Sequence, residues 1–353
     1  MERISEKPRV AILGGGWYGC HLVKMLNDSG YLVRGYERDS SLLTGAASNN
    51  QLRLHQGLHY LRSGATRLQA LQGFSEFTAM YPTMSERVDQ NLYAVPKLES
   101  DLDSSTIELI LAGSKIPFSR LESENFPEIL GIEALYQCDE RLINVPAARE
   151  YFSAAIGHLY SFNQTIDYER IGRMLTAGEF DFVVDATYFA ISDFTPRSTH
   201  EVTFMAEFDS IGNNHRGGLT LIDGKLWSIY PTNSRNVFSL SHVKHSIMGQ
   251  FDSQQEAEFA CAEFRASRAY QPNLEAMREH VLEYLPSLRD DLKSLRLRFL
   301  TRKLKPLGNS ANREATAVEV EPGLILVQPG KVDAIFTAGR EVMQIIEQAG
   351  GSR

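Results

Sequence analysis

The clearest hydrophobic pattern stands at the start of the chain. Val10–Leu13 is a short apolar run of the kind that forms a buried strand, and it leads directly into a glycine-rich segment, 14–19. Apolar residues then recur at helical spacing until the polar stretch 27–30 supplies a helix stop. Tyr31–Glu37 is a second apolar run, and it ends on an acid. The pattern predicts a strand, a turn, a helix and a second strand within about 30 residues.

Beyond this unit the pattern predicts helices and buried strands first and an antiparallel sheet later. Arg67–Tyr81 and Pro146–Tyr160 have helical spacing, Ser85–Val95 begins a separate sheet, and Phe182–Thr187 is fully apolar. Three β-rich runs separated by Gly, Asn and Asp turns predict a meander: Glu201–Asp209, Gly218–Trp227 and Asn236–His245. Two helices, a strand and a last helix follow, at Glu256–Arg268, Leu274–Leu285, Leu324–Val327 and Val332–Gln348.

Composition and charge narrow the class of protein. The 353 residues suit about two domains, and the hydrophobic and charged fractions of 43% and 23% are typical of a folded globular protein. With 36 basic and 44 acidic residues the net charge is −8, which disfavours nucleic acid and anionic membranes as partners. Cys20, Cys138 and Cys261 are far apart, and the first nine residues lack a signal-peptide pattern. Since no apolar window reaches the length of a membrane span, the sequence predicts a cytoplasmic protein.

The glycine-rich segment matches the fingerprint of a dinucleotide-binding turn. Gly14, Gly16 and Gly19 satisfy G-x-G-x-x-G, whose glycines permit a tight turn, close approach of a pyrophosphate and close helix–strand packing. The helix that follows directs its N-terminal N–H groups at the phosphates. Glu37 ends the second strand, where a carboxylate accepts hydrogen bonds from ribose hydroxyls, so FAD or NAD is favoured over NADP. Arg38 could face either the adenine or water.

The segment Gly45–Tyr60 resembles part of a known family. An aliphatic-His-x-Gly-aliphatic-x-Tyr pattern forms its core, made by Leu54, His55, Gly57, Leu58 and Tyr60. This pattern resembles the second flavin-contacting stretch of the D-amino acid oxidase-like (DAO) superfamily of FAD-dependent oxidoreductases. It is most similar to the FAD-dependent glycerol-3-phosphate dehydrogenase and 2-hydroxyglutarate dehydrogenase branches of that superfamily.

Two later stretches resemble the same family in chain order. Val183–Thr187 is similar to the second strand of its FAD domain, although Tyr188 follows where the family usually has glycine. Leu326–Lys331 is similar to the late strand and Gly-Lys pair before its last helix. The resemblance implies an α/β fold, in which a Rossmann-like FAD-binding domain of the glutathione-reductase type is interleaved with an antiparallel-sheet α+β substrate domain. The expected boundaries are 1–80, 145–195 and 318–353 for the FAD-binding domain, and 81–144 and 196–317 for the substrate domain.

The resemblance also assigns cofactor contacts position by position. Those implied for a non-covalently bound FAD are Gly14, Gly16, Gly19 and Glu37 at the ADP part, Ser48 and Asn50 near the pyrophosphate and ribityl chain, Ala186 and Thr187 at the second strand, and Gly330 and Lys331 at the pyrimidine edge of the flavin. Arg38 is a further cofactor-binding candidate, because it follows Glu37 directly. Lys331 has a catalytic rationale as well, because a fixed cation stabilises the negative charge that hydride addition places on the flavin. The alternative is a solvated lysine in the first turn of a helix.

His55 is the candidate base. Oxidation of an alcohol carbon by hydride transfer requires removal of the hydroxyl proton, and a neutral imidazole suits that step. An amine substrate needs no such base, because its lone pair is already available. The match of His55 to the hydroxy-acid branches therefore favours an alcohol, while a hydrogen-bonded structural histidine remains the alternative.

Candidates for substrate contact come from two parts of the chain. Seven basic residues lie between Lys293 and Arg313 with no acid among them, and this local reversal of sign suits an anionic substrate, or else a solvated basic face. Arg302 and Lys303 are its leading members. Weaker candidates for the pocket wall, for which packing is the alternative, are Arg53, His59, Tyr60 and Tyr230.

Histidine spacing does not predict a metal site. His55 and His59 are four residues apart, but no acid or third histidine is near them in sequence. His242 and His245 are three apart in a predicted strand, which sends them to opposite faces.

The leading hypothesis is an FAD-dependent dehydrogenase or oxidase that takes a hydride from a CH–OH group of a small, anionic or sugar-like metabolite. The alternatives are an amine or amino-acid oxidase that gives an imine, an NAD enzyme, and a non-catalytic nucleotide-binding or scaffold protein. The sequence leaves open the substrate itself, the electron acceptor (oxygen, a quinone or a carrier protein) and the oligomeric state.

Overall fold

The computed structural model describes residues 7–191, 199–210, 217–224, 226–304 and 315–350, without the side chains of residues 302–304 and 350. Its strands are β1 Arg9–Leu13, β2 Leu32–Tyr36, β3 Arg53–Leu54, β4 Ser85–Arg87, β5 Asn91–Pro96, β6 Ser119–Leu121, β7 Ile132–Gln137, β8 Arg141–Ile143, β9 Tyr160–Ser161, β10 Phe182–Asp185, β11 Thr199–Asp209, β12 Gly218–Leu221, β13 Trp227–Pro231, β14 Val237–His242, β15 Ile247–Phe251, β16 Arg296–Leu304, β17 Thr316–Glu321 and β18 Leu324–Gln328. The α-helices are α1 Trp17–Asp28, α2 Gly64–Met80, α3 Ser104–Gly113, α4 Val145–Ile156, α5 Tyr168–Thr176, α6 Gln254–Ser267, α7 Gln271–Tyr284 and α8 Ile335–Gly350.

A six-stranded sheet joins the beginning, middle and end of the chain. Its order is β17-β18-β10-β1-β2-β9, and all neighbours are parallel except β17 and β18. The central strands β1 and β10 are buried on both faces, which explains their continuous apolar sequences. Helices α1, α4 and α8 contribute to the core on this sheet. The predicted α/β fold is confirmed, whereas the exact domain boundaries stay a prediction.

A nine-stranded sheet forms the second layer, and its strand order differs from the predicted meander. The order is β15-β11-β14-β13-β12-β5-β7-β6. Strand β11 pairs with β14 and β15 along one of its edges and with β16 along the other. Among the described strands of the three predicted runs, β12, β13 and β14 form an antiparallel meander, whereas β11 pairs with β14, β15 and β16. The run Gly218–Trp227 is not one strand, since it contains the whole of β12, which ends at Leu221, and only the first residue of β13, Trp227.

Two smaller expectations are also wrong. Ser85–Val95 does not begin one sheet, because β4 joins β3 and β8 in a three-stranded sheet and β5 joins the nine-stranded one. His242 and His245 do not lie on opposite faces of a strand. Strand β14 ends at His242, and the turn that follows brings the two rings to a centroid distance of 4.4 Å.

Among the described residues, none of the helices has the length and apolar character that a membrane crossing requires.

Gly73 permits the close approach of α2 to the turn before α8. A Cβ at Gly73 would lie 1.8 Å from the backbone oxygen of Asp333, so an alanine must push the two segments apart. We expect Gly73→Ala to lower the free energy of unfolding by about 1–3 kcal/mol, as overpacking does. Gly172→Ala in α5 is the matched control, because its Cβ has nothing within 4 Å. Denaturant unfolding checks the prediction, and equal stability of the two variants would contradict it.

Candidate active site

The glycine-rich turn leaves room for a phosphate group. Gly14 has a φ of +102°, and a Cβ there would lie 2.8 Å from the oxygen of Ala186. A Cβ at Gly19 would lie 1.8 Å from the oxygen of Gly14, so both glycines are required by the fold. Gly16 differs, because a Cβ there has nothing within 4 Å. The N-terminus of α1 has neither a side-chain cap nor an acid in its first turn, so the residues present fit a bound pyrophosphate.

Gly16→Ala separates cofactor binding from folding. The added methyl group enters the open space over the turn, so we expect unchanged stability but a dissociation constant for FAD that is about tenfold higher or more. Gly19→Ala should instead lower the stability of the apoprotein. Fluorescence titration of apoprotein with FAD, together with denaturant unfolding, measures both effects. Normal FAD affinity in Gly16→Ala would show that the pyrophosphate does not approach this glycine.

Glu37 lies against the same turn. Its buried carboxylate accepts hydrogen bonds from the backbone N–H of Gly15 and, at 2.8 Å, from that of Asp39. These contacts hold the carboxylate at the end of β2, where a ribose would be bound. The side chain of Arg38 points to the surface.

A second loop beside the turn contains Ser48 and Asn50. The hydroxyl of Ser48 donates to the oxygen of Leu43, and Asn50 is exposed. Arg149 of α4 fixes the segment just before this loop, because its guanidinium donates to the backbone oxygens of Leu42 at 2.9 Å and Leu43 at 3.1 Å. Sequence reasoning missed Arg149, since a lone arginine in a helix gives no signal of a distant loop.

The end of β10 brings Ala186 and Thr187 to the first strand. The N–H of Ala186 donates to the oxygen of Leu13 at 2.9 Å, and Asp185 accepts from the N–H and the hydroxyl of Thr187 at 2.9 and 2.6 Å. Tyr188 has a φ of +64°, the left-handed conformation that favours glycine. Tyr188, which stands where the family usually has glycine, therefore adopts a backbone conformation that glycine favours.

Gly330 and Lys331 lie in the turn that follows β18. The N–H of Gly330 donates to the hydroxyl of Tyr18 at 2.8 Å, and that hydroxyl donates to the oxygen of Lys331 at 2.7 Å. Burial raises the pKa of Tyr18 well above its usual value, so the phenol keeps its proton and both bonds. Helix α1, which begins within the glycine-rich segment, thereby fixes the position of the Lys331 backbone through Tyr18. Tyr18 is another residue that the sequence analysis did not identify.

A chain of hydrogen bonds leads inward from Lys331. The ammonium of Lys331 is 3.0 Å from Nε2 of His59, and Nδ1 of His59 is 3.2 Å from the hydroxyl of Tyr93. Tyr93 donates to Glu140 at 2.7 Å. Because a carboxylate only accepts, the oxygen of Tyr93 is left to accept from Nδ1–H of His59, and Nε2 is left to accept from Lys331. Tyr60 lies beside this chain, with Lys331 4.9 Å above its ring.

Arg53 is the buried end of this network and does not line an open pocket. Its Nε donates to Glu140 at 2.6 Å, and the two side chains are 6% and 0% exposed. Its guanidinium lies 4.9 and 4.7 Å from the rings of Tyr93 and Tyr230 and donates to Thr220 at 2.7 Å. Arg53 and Tyr230 are both buried and packed against each other, which favours the packing alternative for these two candidates for the pocket wall.

His55 is also buried, which changes the view of it as the base. Its side chain is 1% exposed, and its Nδ1 accepts from the N–H of Gly57 at 3.1 Å. Its Nε2 faces Oδ2 of Asp333 at 3.5 Å. Burial, followed by the charge of Lys331, lowers the pKa of His55 well below its usual value. The imidazole is therefore neutral, but it does not face an open cavity.

Asp333 makes the stability dependent on pH. Burial raises the pKa of this carboxyl to about 7, against the opposing effect of Lys331. A carboxyl whose pKa is raised on folding stabilises the protein below its unfolded pKa, and the stabilisation is lost as pH rises through about 7. We expect the free energy of unfolding of Asp333→Asn, relative to that of the original protein, to rise progressively between pH 5 and pH 8. Urea unfolding across that range measures the difference, and a difference that does not vary with pH would contradict this assignment.

His55, His59 and Glu140 bring three metal-ligating atoms within 4.8 Å of one another, a combination absent from the local sequence. Most of their nitrogen and oxygen atoms already have hydrogen-bond partners, namely the Gly57 N–H for Nδ1 of His55, Tyr93 and Lys331 for His59, and Arg53 and Tyr93 for Glu140. The positive charge of the Lys331 ammonium group, next to His59, further opposes the binding of a cation. The cluster fits a hydrogen-bonded network better than a metal site.

The basic stretch is partly neutralised by nearby acids, two of which lie in β11. Lys293 pairs with Asp290 at 2.6 Å, and Arg298 pairs with Glu207 at 2.7 Å. Arg296 pairs with Asp209, the last residue of β11. The other members are not described at the side-chain level: Arg302, Lys303, Lys305 and Arg313. The candidate roles of Arg302 and Lys303 therefore stay predictions.

Comparison with known proteins identifies the family. No protein-family model matches the chain. The FAD-dependent monooxygenase FPY4 of Fusarium mangiferae is 35% identical over 349 residues, which cover 96% of this chain and 91% of that protein. Two solved structures share the fold. Glycine oxidase from Geobacillus kaustophilus has a TM-score of 0.68 at 13% identity and 97% and 95% coverage of the two chains. The L-alpha-glycerophosphate oxidase from Mycoplasma pneumoniae with FAD bound has a TM-score of 0.69 at 11% identity, again with 97% and 95% coverage.

These similarities agree with the glycine-rich turn, its open space at Gly16 and the carboxylate of Glu37. The protein is thus an enzyme whose cofactor is FAD, and the chain belongs to the family of FAD-dependent oxidoreductases that includes the Fusarium mangiferae enzyme.

Proposed function

We propose that the enzyme takes a hydride from a CH–OH carbon of a small anionic or sugar-like metabolite, with His59 as the base. The observation that carries this proposal is the chain from Lys331 through His59 and Tyr93 to Glu140. The donor-to-acceptor direction of these hydrogen bonds leaves Nε2 of His59 as an acceptor. Nδ1–H of His59 donates to the hydroxyl of Tyr93, which in turn donates to the Glu140 carboxylate. Bound FAD supplies the hydride acceptor.

The proton balance of this step uses two residues. A substrate hydroxyl that replaces Lys331 at Nε2 of His59 can give its proton there, and the released ammonium then stabilises the substrate oxygen. His59 and Lys331 are both partly exposed, in contrast to His55, which supports contact with a substrate. We therefore assign the base to His59 and a positioning role to His55, which packs against His59 with a ring centroid distance of 4.6 Å.

Monooxygenation is a second candidate, favoured by the name of the 35% identical relative. A monooxygenase places one oxygen atom of O₂ in its product and reduces the other to water, so it requires an external electron donor such as NADPH. The CH–OH oxidation requires none, because the substrate provides both electrons.

Anaerobic mixing of the holoenzyme with single compounds tests the proposal. The panel is 2-hydroxy acids, polyol phosphates, amino acids and NADPH, and the readout is bleaching of the visible flavin absorbance. We expect bleaching by a hydroxy compound and not by the amino acid of the same carbon skeleton. Bleaching by the amino acid alone would instead support an amine oxidase. NADPH as the only reductant, with oxygen incorporated into the product, would support monooxygenation and overturn the proposal.

A further inference from the structure

A cleft of about 670 Å³ lies between α6, α7 and β16, and it takes no part in the proposed reaction. This volume is in the range of sites that bind small organic molecules. Its lining residues belong to the two helices, to β16 and to the residues just before α7 and β16, Tyr270 and Leu295, apart from Asn49 in the loop of Ser48. It shares no lining residue with the network of Lys331, His59 and Glu140.

The floor of the cleft is apolar and aromatic. The rings of Tyr270 and Phe299 meet edge to face at 5.3 Å, and Phe204 lies behind both, 6.3 and 6.0 Å away. Leu274 and Leu297 line the same floor and pack against the core under the nine-stranded sheet. Because the rest of that core supports these side chains, the floor is a formed surface on which a flat apolar group can stack.

Two arginines are the charged residues among the described lining of the cleft, and they differ in whether an acid neutralises them. Arg298 is paired with Glu207 at 2.7 Å, so its charge is compensated. The guanidinium of Arg265 lies 5.2 Å from the centre of the Phe299 ring, a cation–π arrangement that holds it over the apolar floor. Among the described residues Arg265 has no acidic partner. The cleft therefore presents one uncompensated guanidinium at the edge of an aromatic platform.

We infer that this cleft binds a small carboxylate ligand with a flat apolar body, in which Arg265 receives the carboxylate and Phe299 and Tyr270 receive the body. A single guanidinium matches a monoanion, and its fork of donors fits a carboxylate in a bidentate manner. A dianionic phosphate requires more positive charge than Arg265 supplies.

Naphthalene compounds test the inference, because the ring system and its charge can be varied separately. The probes are 2-naphthoate, the neutral 2-naphthamide and 2-naphthyl phosphate, titrated calorimetrically into the holoenzyme. We expect 2-naphthoate to bind at least about tenfold more tightly than the other two, since one charge-assisted hydrogen-bonded pair is lost or mismatched in each. Arg265→Gln should weaken naphthoate binding by about the same factor.

Control variants distinguish this cleft from the active site and from general charge effects. Arg278→Gln changes an arginine of α7 that lies outside the cleft and pairs with Glu275, so naphthoate should bind as before. Lys331→Met should also leave naphthoate binding unchanged. Equal weakening by Arg265→Gln and Arg278→Gln, loss of binding in Lys331→Met, or equal binding of the acid and the amide would each overturn the inference. Tighter binding of the naphthyl phosphate would overturn its assignment to carboxylates.

Discussion

Glu140→Gln should lower the free energy of unfolding by about 3–5 kcal/mol, the usual cost of leaving one member of a buried ion pair without its partner. Glutamine keeps the shape of Glu140 and can still accept from Tyr93, but it removes the negative charge beside Arg53. The remaining guanidinium is almost completely buried, between the rings of Tyr93 and Tyr230, and cannot recover its hydration without moving. Denaturant unfolding of the apoprotein measures this cost apart from any effect on catalysis.

Two controls make this prediction specific. Glu179→Gln removes an acid from a surface pair with Arg170, in which both side chains are 41% exposed, and should change stability by less than about 1 kcal/mol. The double variant Arg53→Met, Glu140→Leu removes both charges and should be more stable than Glu140→Gln, because no buried charge is left unpaired. If the double variant is the less stable of the two, hydrogen bonding rather than charge dominates at this position.

The buried pair also shows where sequence reasoning stops. The first unit of the fold was predictable because its signals are local: an apolar run, spaced glycines, helical periodicity and an acid occur within one short stretch. The order of strands in the nine-stranded sheet was not predictable in this way. Strand β11 pairs with β16 almost a hundred residues later, and no local pattern specifies that partner. The strand break after Leu221 falls inside the run Gly218–Trp227, where Asp223 and Gly224 had marked a turn but the bounds of the run had not followed it.

The candidate site divides along the same line. Lys331 was predicted because a Gly-Lys pair before the last helix belongs to a recognisable motif. Glu140 and Tyr93 carry no motif, and only the pairing of β5 with β7 and of β3 with β8 brings them to His59 and Arg53. Burial is equally non-local, so the motif that selected His55 gave no indication that the next histidine, His59, is the more accessible one.

The ion pairs of the basic stretch could not be predicted from the sequence for a related reason. Within the stretch from Lys293 to Arg313 the sequence shows only basic charges. Antiparallel pairing, however, places Glu207 and Asp209 of β11 beside Arg298 and Arg296. Much of the described charge is therefore compensated across the two strands.

His59→Asn should slow flavin reduction by the substrate about 10²–10⁴-fold, the range expected when a positioned base is removed. The asparagine amide can replace Nδ1–H as the donor to Tyr93, so the variant loses the accepting Nε2 while the hydrogen bond to the interior is retained. FAD affinity should stay close to that of the original enzyme, since His59 is not among the residues at the glycine-rich turn. Anaerobic stopped-flow measurement, with the hydroxy compound that bleaches the flavin in the panel, gives the rate constant.

Comparison with two other histidine variants decides between the candidate bases. His158→Asn changes an exposed histidine and should leave the rate constant unaltered. His55→Asn should lower the free energy of unfolding, because the ring is buried against His59 and Asp333. Its effect on the rate constant of flavin reduction should be smaller than that of His59→Asn. Partial rescue of His59→Asn by added imidazole would support proton transfer at this position, since a free base can replace the missing one. If His55→Asn stops flavin reduction and His59→Asn does not, the base is His55, and the hydrogen-bond chain from Lys331 to Glu140 serves only to hold the site together.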